Sequence, residues 1–333
     1  MHKKNKRNKT MRKVLFFLLW MLCVHSMSQR FRVLEYNCEN LFDTIDNVLK
    51  NDNDFLPEGK MRWNSWRYWS KLGRVARVMA AVSGESPCAL MGLCEVESDT
   101  VLRDLTKRTS LHHLGYEFIK TDSPDRRGIN VALLYQPFVF QSVTVDTIRI
   151  SGLFTRDVLH VCGRVMTGDT LDVFVCHLPS RRGGAKKTAE NRLRVSKIIG
   201  EFADSLQRCR SSPKIIIMGD FNDEPRDKSV RYLARSFPLL TENMRARDGE
   251  IRGTYRFQQQ WNQLDQVFVN KDLLPFVPSC RLYAADFLLE DSQGHAHPYR
   301  TYRGPFYHGG FSDHLPIILD LNFNGEGGAA VHF

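Results

Sequence analysis

The sequence predicts an α/β protein. Three observations predict it: short apolar runs of strand length recur from Phe31 to Leu321, a few longer stretches carry helical apolar spacing, and polar residues able to do chemistry stand at the ends of the apolar runs. At 333 residues, with 42% hydrophobic and 25% charged side chains, the chain can bury a sizeable core. Disorder, collagen and a bundle of membrane spans are excluded. No repeat, low-complexity tract or Pro/Ser-rich linker divides the chain, so one domain is expected over residues 29–322, with a loose Gly-rich tail at 323–333.

The first 28 residues read as a signal peptide. A basic region free of acids precedes eleven unbroken apolar residues, Val14 to Val24, and the small-residue stretch Ser26-Met27-Ser28 offers a cleavage site, so the mature chain begins near Gln29. Eleven residues fall short of the roughly 20 that a transmembrane helix needs, which makes an uncleaved anchor the poorer reading. Lipid attachment at Cys23 fits worse still, because Trp20-Met21-Leu22 precedes it where small residues belong. The chain is thus expected to be exported to the periplasm or the cell exterior, with no membrane span in its mature form. The leader also carries seven of the positive charges behind the formal +10, leaving +3 for the rest and removing any polyanion argument from overall charge.

Along the mature chain FRVLEYN is extended, Thr44 to Lys60 is polar, and Trp63 to Val82 repeats apolar residues at Trp66, Trp69, Leu72, Val75, Val78 and Met79 with helical spacing. A buried strand follows over ALMGL. Further strands are expected at Ile129–Tyr135, Val158–Met166, Leu171–His177, Ile215–Met218, Leu264–Val269 and Leu315–Leu321, and helices near 98–109 and 187–206. Asn51-Asp52-Asn53-Asp54 lacks the Gly and terminal Glu of a calcium loop and reads as a solvated loop. Seven cysteines remain after Cys23 is removed, an odd number without regular spacing, so no disulfide framework is implied. Cys38, Cys94, Cys162 and Cys176 border apolar runs and read as small buried hydrophobes. Neither CxxC nor HxxxH occurs in paired form, which argues against zinc.

The chemistry gathers at strand ends: Asn37 after VLEY, Glu95 after ALMGLC, His177 after LDVFVC, Asp220 and Asn222 around IIIMGDFN, then Asp265 and the Asp313-His314 pair. Carboxylates and imidazoles buried there cost free energy unless paired or bound to metal, and strand ends of α/β sheets are where ligand crevices form. Taken singly each has a bland alternative. Glu95 reads equally as a cap, His177 as a satisfied core histidine, Gly219 to Asp223 as a turn, and Ser312-Asp313 as a helix cap. Their joint occurrence is what points to a site.

The stretches YNCENLFD, GLCEVES, RRGINVALLY, CHLPSRRGG, IIIMGDFNDEP, GTYRF, LDQVFV and FSDHLPI, from Tyr36 to Ile317, together resemble the deoxyribonuclease I-like endonuclease/exonuclease/phosphatase superfamily, and most of all its secreted bacterial members. That resemblance implies two facing mixed β-sheets flanked by helices, a four-layer α/β/β/α sandwich with the site at one end. It implies Mg²⁺ or Mn²⁺ on Glu95, with Glu39, Asn37 and Asp313 around it. His314 with Asp265 would be the base and its orienting carboxylate, although some family mechanisms give water activation to the position of Asp220. Asn222 would position substrate or nucleophile, and His177 would donate to the phosphate, helped by Arg127, whose bland alternative is a solvated loop charge.

The implied activity is metal-dependent hydrolysis of a phosphate ester, most consistent with an endonuclease or exonuclease on nucleic acid. A phosphatase or lipid phosphodiesterase (sphingomyelinase-like), or a non-catalytic binding module, are the alternatives; no stable protein partner is inferred. Relatives that share PSRRGG carry Asn before the histidine and Trp after it, whereas this chain has Cys176 and Leu178, which puts base stacking at that position in doubt. The basic stretch Arg181 to Arg194, with Arg181 and Arg182 nearest His177, is expected either to hold phosphates flanking the scissile bond or to be a solvated loop and helix face.

Overall fold

The computed structural model describes residues 30–292 and 294–323, so the expected leader and all but the first residue of the expected tail lie outside the described residues. In chain order the strands are β1 (Phe31–Leu41), β2 (Leu90–Val96), β3 (Glu117–Lys120), β4 (Asn130–Tyr135), β5 (Phe140–Ile148), β6 (Val158–Val165), β7 (Thr170–His177), β8 (Lys214–Asp220), β9 (Tyr255–Phe257), β10 (Gln260–Asn262), β11 (Asp265–Val269), β12 (Ser279–Leu282), β13 (Leu289–Ser292), β14 (His295–Pro298), β15 (Tyr302–Arg303), β16 (Phe306–Tyr307) and β17 (Ile317–Leu321). The helices are α1 (Ser65–Ser83), α2 (Asp99–Arg108), α3 (Ala185–Cys209) and α4 (Lys228–Leu233).

Two large mixed sheets carry the fold. One has six strands in the order β12-β17-β1-β2-β4-β3, the other five in the order β11-β8-β7-β6-β5. Only β1 with β2 and β7 with β8 pair in parallel within them. Central strands are apolar on both faces because both are covered: Val33, Leu34 and Tyr36 of β1 and Ile215, Ile216 and Ile217 of β8 are all buried. The inner faces meet at Gly92, where a Cβ would stand 2.5 Å from the Met218 Cε and 3.3 Å from a Val175 methyl, so the missing side chain leaves room for Met218 of the facing sheet. Helices α3 and α4 cover the outer face of the five-stranded sheet, Val195, Ile199 and Leu233 packing on Phe174, Ile217 and Phe268. Helices α1 and α2 lie beside the six-stranded sheet, tied together by Tyr68 Oη donating to Asp104 at 2.8 Å. The predicted α/β fold with two facing sheets is the observed one.

The departures are local. Helix α1 starts after Trp63, capped by the Asn64 side chain, which accepts from Arg67 N at 3.1 Å. Its buried stripe runs through Tyr68, Leu72, Val75, Ala76, Met79 and Val82, while Trp66 and Trp69, expected on that stripe, are exposed. Strands β3, β5 and β12 carry no apolar run and escaped the sequence reading; β3, β5 and β12 are sheet edges, half open to solvent. The loop at Asn51 is not simply solvated. Asp52 is buried and accepts from Asn47 N at 3.0 Å, and Lys50 clamps the next wall of the molecule by donating to the carbonyls of Ser123 and Asp125. Among the described residues no helix is long and apolar enough to cross a membrane.

Candidate functional site

Strand register builds the site. His177 pairs with Asp220 across the parallel β7–β8 ladder, and Asp220 pairs with Asp265 across the antiparallel β8–β11 ladder, so the three side chains form one row. Their parity is that of Val175, Met218 and Val267, which face the other sheet, so the row projects into the space between sheets at its open end. The strand ends of the other sheet arrive opposite. Asn37 of β1 donates through Nδ2 to Asp220 Oδ2 at 3.0 Å and accepts at Oδ1 from Glu39 N at 2.9 Å. Both strand ends are irregular: pairing slips between Asn37 and Leu41 and between Cys94 and Val96, and Glu39, Asn40 and Glu95 adopt φ of 50°, 50° and 63°. Each such residue costs on the order of 1 kcal/mol, and bulges of this kind turn side chains out of the alternating pattern, here Glu95 into the cleft.

The segment before β17 closes the site. Ser312 Oγ donates to Asn37 O at 2.7 Å and accepts from His314 N at 3.1 Å, which fixes His314 so that Nδ1 lies 2.7 Å from Asp265 Oδ2. Thr254 Oγ1 donates to the same carboxylate oxygen. The other face of the imidazole looks toward Asp220, Nε2 to Oδ2 being 4.0 Å, and His177 Nε2 approaches that oxygen from the opposite side at 3.5 Å. A cleft of about 580 Å³ opens over this group, lined by Glu95, Arg127, His177, Arg181, Arg182, Asp220, Asn222, Asp313 and His314. Asn37 and Asp265 stand behind Asp220 and His314, one shell from the opening.

Electrostatics follow from burial and like charge. Burial, then Asp265, pushes the Asp220 carboxyl up to about 7. Burial opposes charging of His314, but Asp265, Asp220 and Asp313 outweigh it and hold the imidazole well above its ordinary value. His177 is held well below by burial and by Arg156, Arg127 and His314, so it is a neutral ring. Possible ligand atoms of Asp220, Asp265 and His314 lie within 4.8 Å of one another. Two of them, His314 and Asp265, are already joined by a hydrogen bond, and Asp220 stands 4.0 Å from the other ring nitrogen of His314. Glu95 and Asp313 differ: both line the open cleft, and Glu95 is fixed through one oxygen, Oε2, by Asn40 N at 2.8 Å.

Several expected residues sit otherwise than the sequence suggested. Glu39 does not reach the cleft; its carboxylate accepts from Thr301 N at 2.7 Å and Tyr302 N at 3.2 Å, with Lys71 Nζ 4.0 Å away, so it anchors the segment that leads to His314. Arg181 is half spent on acids, 2.9 Å from Asp227 and 3.7 Å from Asp223, and donates to Asn222 O at 2.6 Å. Arg192 is buried against Asp223 and Arg194 holds Ser151 O, leaving Arg182, Lys186 and Lys187 as the exposed, unpaired charges of that stretch. Leu178 is wholly buried in the outer core, so no stacking surface exists there.

Four contributors escaped the sequence reading. Arg156 is buried and donates to the carbonyls of His177 and Leu178 while pairing with Asp125, which sets the turn after β7. Tyr255 and Phe257, within the GTYRF stretch, line the cleft, Tyr255 lying 5.0 Å from the His314 ring. Glu35 lies beneath Asp265, and both its oxygens and Asp265 Oδ1 are buried without another partner. Its alternation with Asn37 on one face of β1 was the available signal, masked by the apolar residues around it.

A search of curated protein sequences finds none that matches. Solved structures match along nearly the whole chain. Truncated TDP2 from Caenorhabditis elegans superposes with a TM-score of 0.58 at 16% identity, over 88% of this chain and 98% of that one. An endonuclease/exonuclease/phosphatase family protein from Bacteroides thetaiotaomicron gives 0.58 at 16% over 91% and 99%, and the human Nocturnin catalytic domain gives 0.54 at 17% over 87% and 93%. At these identities the likeness is one of fold. The sequence profile of the Endonuclease/Exonuclease/phosphatase family matches residues 32–322, from the first residues of β1 to the end of β17 and through every strand end that forms the cleft, and the chain therefore belongs to that family of hydrolase fold.

Proposed function

We propose that the protein is an exported, metal-dependent phosphodiester hydrolase acting on nucleic acid. The observation that carries this reading is the single cleft in which Asp220, flanked by two histidines of opposite charge tendency, faces the carboxylates of Glu95 and Asp313. The donor set fits a hard divalent cation. Glu95, Asp220 and Asp313 bring three carboxylates to one cleft, Asp220 is pushed up to about 7 by burial and by Asp265, and oxygen donors suit Mg²⁺ or Mn²⁺. Glu95 and Asp313 would hold it, and when bound it would supply positive charge to the phosphoryl oxygens.

The chain's own groups divide the remaining work. Asp220, oriented by Asn37 Nδ2 and by Asn222 N at 2.8 Å, titrates near neutrality and is suited to take the proton of the attacking water. This favours Asp220 over His314 as the base, because Asp265 and its neighbours keep His314 protonated. His314 then faces the developing negative charge as a cation, and neutral His177 donates an N–H to a phosphoryl oxygen, with Arg127 and Arg182 at the cleft wall. Tyr255 and Phe257 support a nucleic-acid substrate over a phospholipid, since ring faces at the cleft offer stacking for bases. Export rests on the leader sequence alone.

The test is hydrolysis of DNA, RNA, nucleotides and phospholipid in Mg²⁺, Mn²⁺ and EDTA. EDTA abolishes turnover, either metal restores it, and Glu95→Gln is inactive but folded. Full activity in EDTA overturns the metal assignment, and cleavage confined to phospholipid or phosphomonoester overturns the substrate.

A further inference from the structure

Beside the catalytic cleft lies a second one, of about 630 Å³, with the β9–β10 hairpin between them: Tyr255, Phe257 and Asn262 face the first and Trp261 the second. Asn222 and Asn262 face the first; Glu224, Arg226 and Trp261, one or a few residues along the same segments, face the second. Asn222 and Glu224 are two residues apart, and two residues of chain span at most about 7 Å, so the clefts open within reach of one short oligonucleotide. The second cleft is built for an anion. Arg226 and Arg245 are exposed and have no hydrogen bond or ion pair, and Arg252 is steadied through Nε by Gly249 O at 2.9 Å with the rest of its guanidinium free. The acids nearby are engaged elsewhere, Glu224 with Arg181 at 3.8 Å and Glu242 with Arg231 at 3.8 Å. Three arginines left unneutralised repel one another, and a phosphate among them removes that repulsion while accepting bidentate hydrogen bonds. Trp261, half-buried on the core and backed by Arg256 at 5.7 Å from its ring, adds an aromatic surface where the β9–β10 hairpin walls the second cleft.

We propose that Arg226, Arg245 and Arg252 form a second phosphate site that takes the phosphate next to the scissile one in a single-stranded nucleic acid, with a base against Trp261. This deepens the hydrolase reading and rests on it for the scissile position. The stretch Arg181 to Arg194, whose arginines are largely spent internally, gives way to this cleft as the main flanking-phosphate surface.

Binding and cleavage are measured separately. A labelled single-stranded hexanucleotide is titrated by fluorescence anisotropy in EDTA against the full mature protein, the triple variant Arg226→Gln/Arg245→Gln/Arg252→Gln, and Trp261→Ala; thermal melts confirm that each is folded. The triple variant is expected to bind at least roughly tenfold more weakly at low salt, and its log K against log salt slope to flatten by about 0.7, the loss of one phosphate contact on a single strand. Trp261→Ala is expected to weaken binding roughly tenfold with the slope unchanged, the signature of stacking. Cleavage of the hexanucleotide is then compared with bis(p-nitrophenyl) phosphate, which has a single phosphate. The triple variant should raise KM for the oligonucleotide while the small diester reads as for the parent. Wild-type affinity and slope in a folded triple variant overturn the second site even if the enzyme is a nuclease. An inositol polyphosphate that competes for the cleft more tightly than the hexanucleotide overturns the strand assignment. Loss of binding in the triple variant with no cleavage of either substrate by the parent keeps the phosphate site and sinks the hydrolase reading.

Discussion

Asp265 Oδ2 is saturated by His314 and Thr254, while Oδ1 is buried beside Glu35, whose own oxygens have no other partner. Burial, then Asp265 and Asp220, hold the Glu35 carboxyl well above the usual range, so it is the neutral acid. Glu35→Gln, neutral and of the same shape, should leave the melting temperature nearly unchanged, whereas Glu35→Ala should cost about 2 kcal/mol or more through the cavity and the unpaired Asp265 oxygen. Equal losses for both in denaturant titrations would mean that Glu35 is ionised. Within the cleft, His314→Ala and Asp220→Ala should each lower kcat by at least roughly 10²-fold, and Asp265→Asn should act through His314 orientation. Near-normal kcat for Asp220→Ala in a folded protein would return the base role to His314. His177 also leaves a trace in stability. Its folded value is depressed, so its contribution is present above the unfolded value of about 6.5 and is lost as pH falls from there toward the folded value. Replacing it, as His177→Gln, should flatten the acid limb of melting temperature against pH just below 6.5; an unchanged limb would show that His177 takes up its proton in the folded state.

At the scale of elements, the site depends on how closely strands approach at two glycines, and the two should respond differently to the same change. At Gly92 an added Cβ meets the flexible end of Met218, which can swing away, so Gly92→Ala should cost about 1 kcal/mol, the low end of overpacking. Gly219 has φ of 142°, and a Cβ there would meet the Cys176 carbonyl oxygen at 1.9 Å, a rigid backbone atom in the ladder that sets His177 against Asp220. Gly219→Ala should therefore cost several times as much and lower kcat as well, because the row of site residues shifts with the ladder. Urea titrations of the two variants decide the point; equal costs would mean that the β7–β8 ladder yields as readily as a methionine side chain.

Across the molecule, stability comes from the two packed sheets and their helices, with no disulfide among the described residues. The seven cysteines among the described residues, at 38, 88, 94, 162, 176, 209 and 280, are all free, and of these only Cys209 is exposed. Burial pushes the thiols of Cys88, Cys38 and Cys94 up, those of Cys88 and Cys38 to about 11 and about 12, which makes them poor nucleophiles. Reductant should accordingly leave the melting temperature of the mature protein unchanged, and Ellman's reagent should label one thiol rapidly in the native state and the rest only on unfolding. A fall in melting temperature with dithiothreitol would reveal a bridge that the folded arrangement does not hold.

The sequence by itself determined the α/β class, the central strands and the identity of the polar residues at their ends, because a strand buried on both faces must be a nearly continuous apolar run and a chemical residue that ends it stands out. It determined Asp220, His177, His314 and Asp265 as one group only through their joint occurrence. Tertiary structure alone decided their partnerships. Register placed His177, Asp220 and Asp265 in a row, two bulges turned Glu95 inward and Glu39 away, and acids distant in sequence neutralised Arg181 and Arg192 while leaving Arg226, Arg245 and Arg252 free. Edge strands, ion-pair choice and the neutral Glu35 were illegible for the same physical reason: each depends on which groups the closed sandwich brings within a few ångströms, and a linear pattern carries no record of that distance.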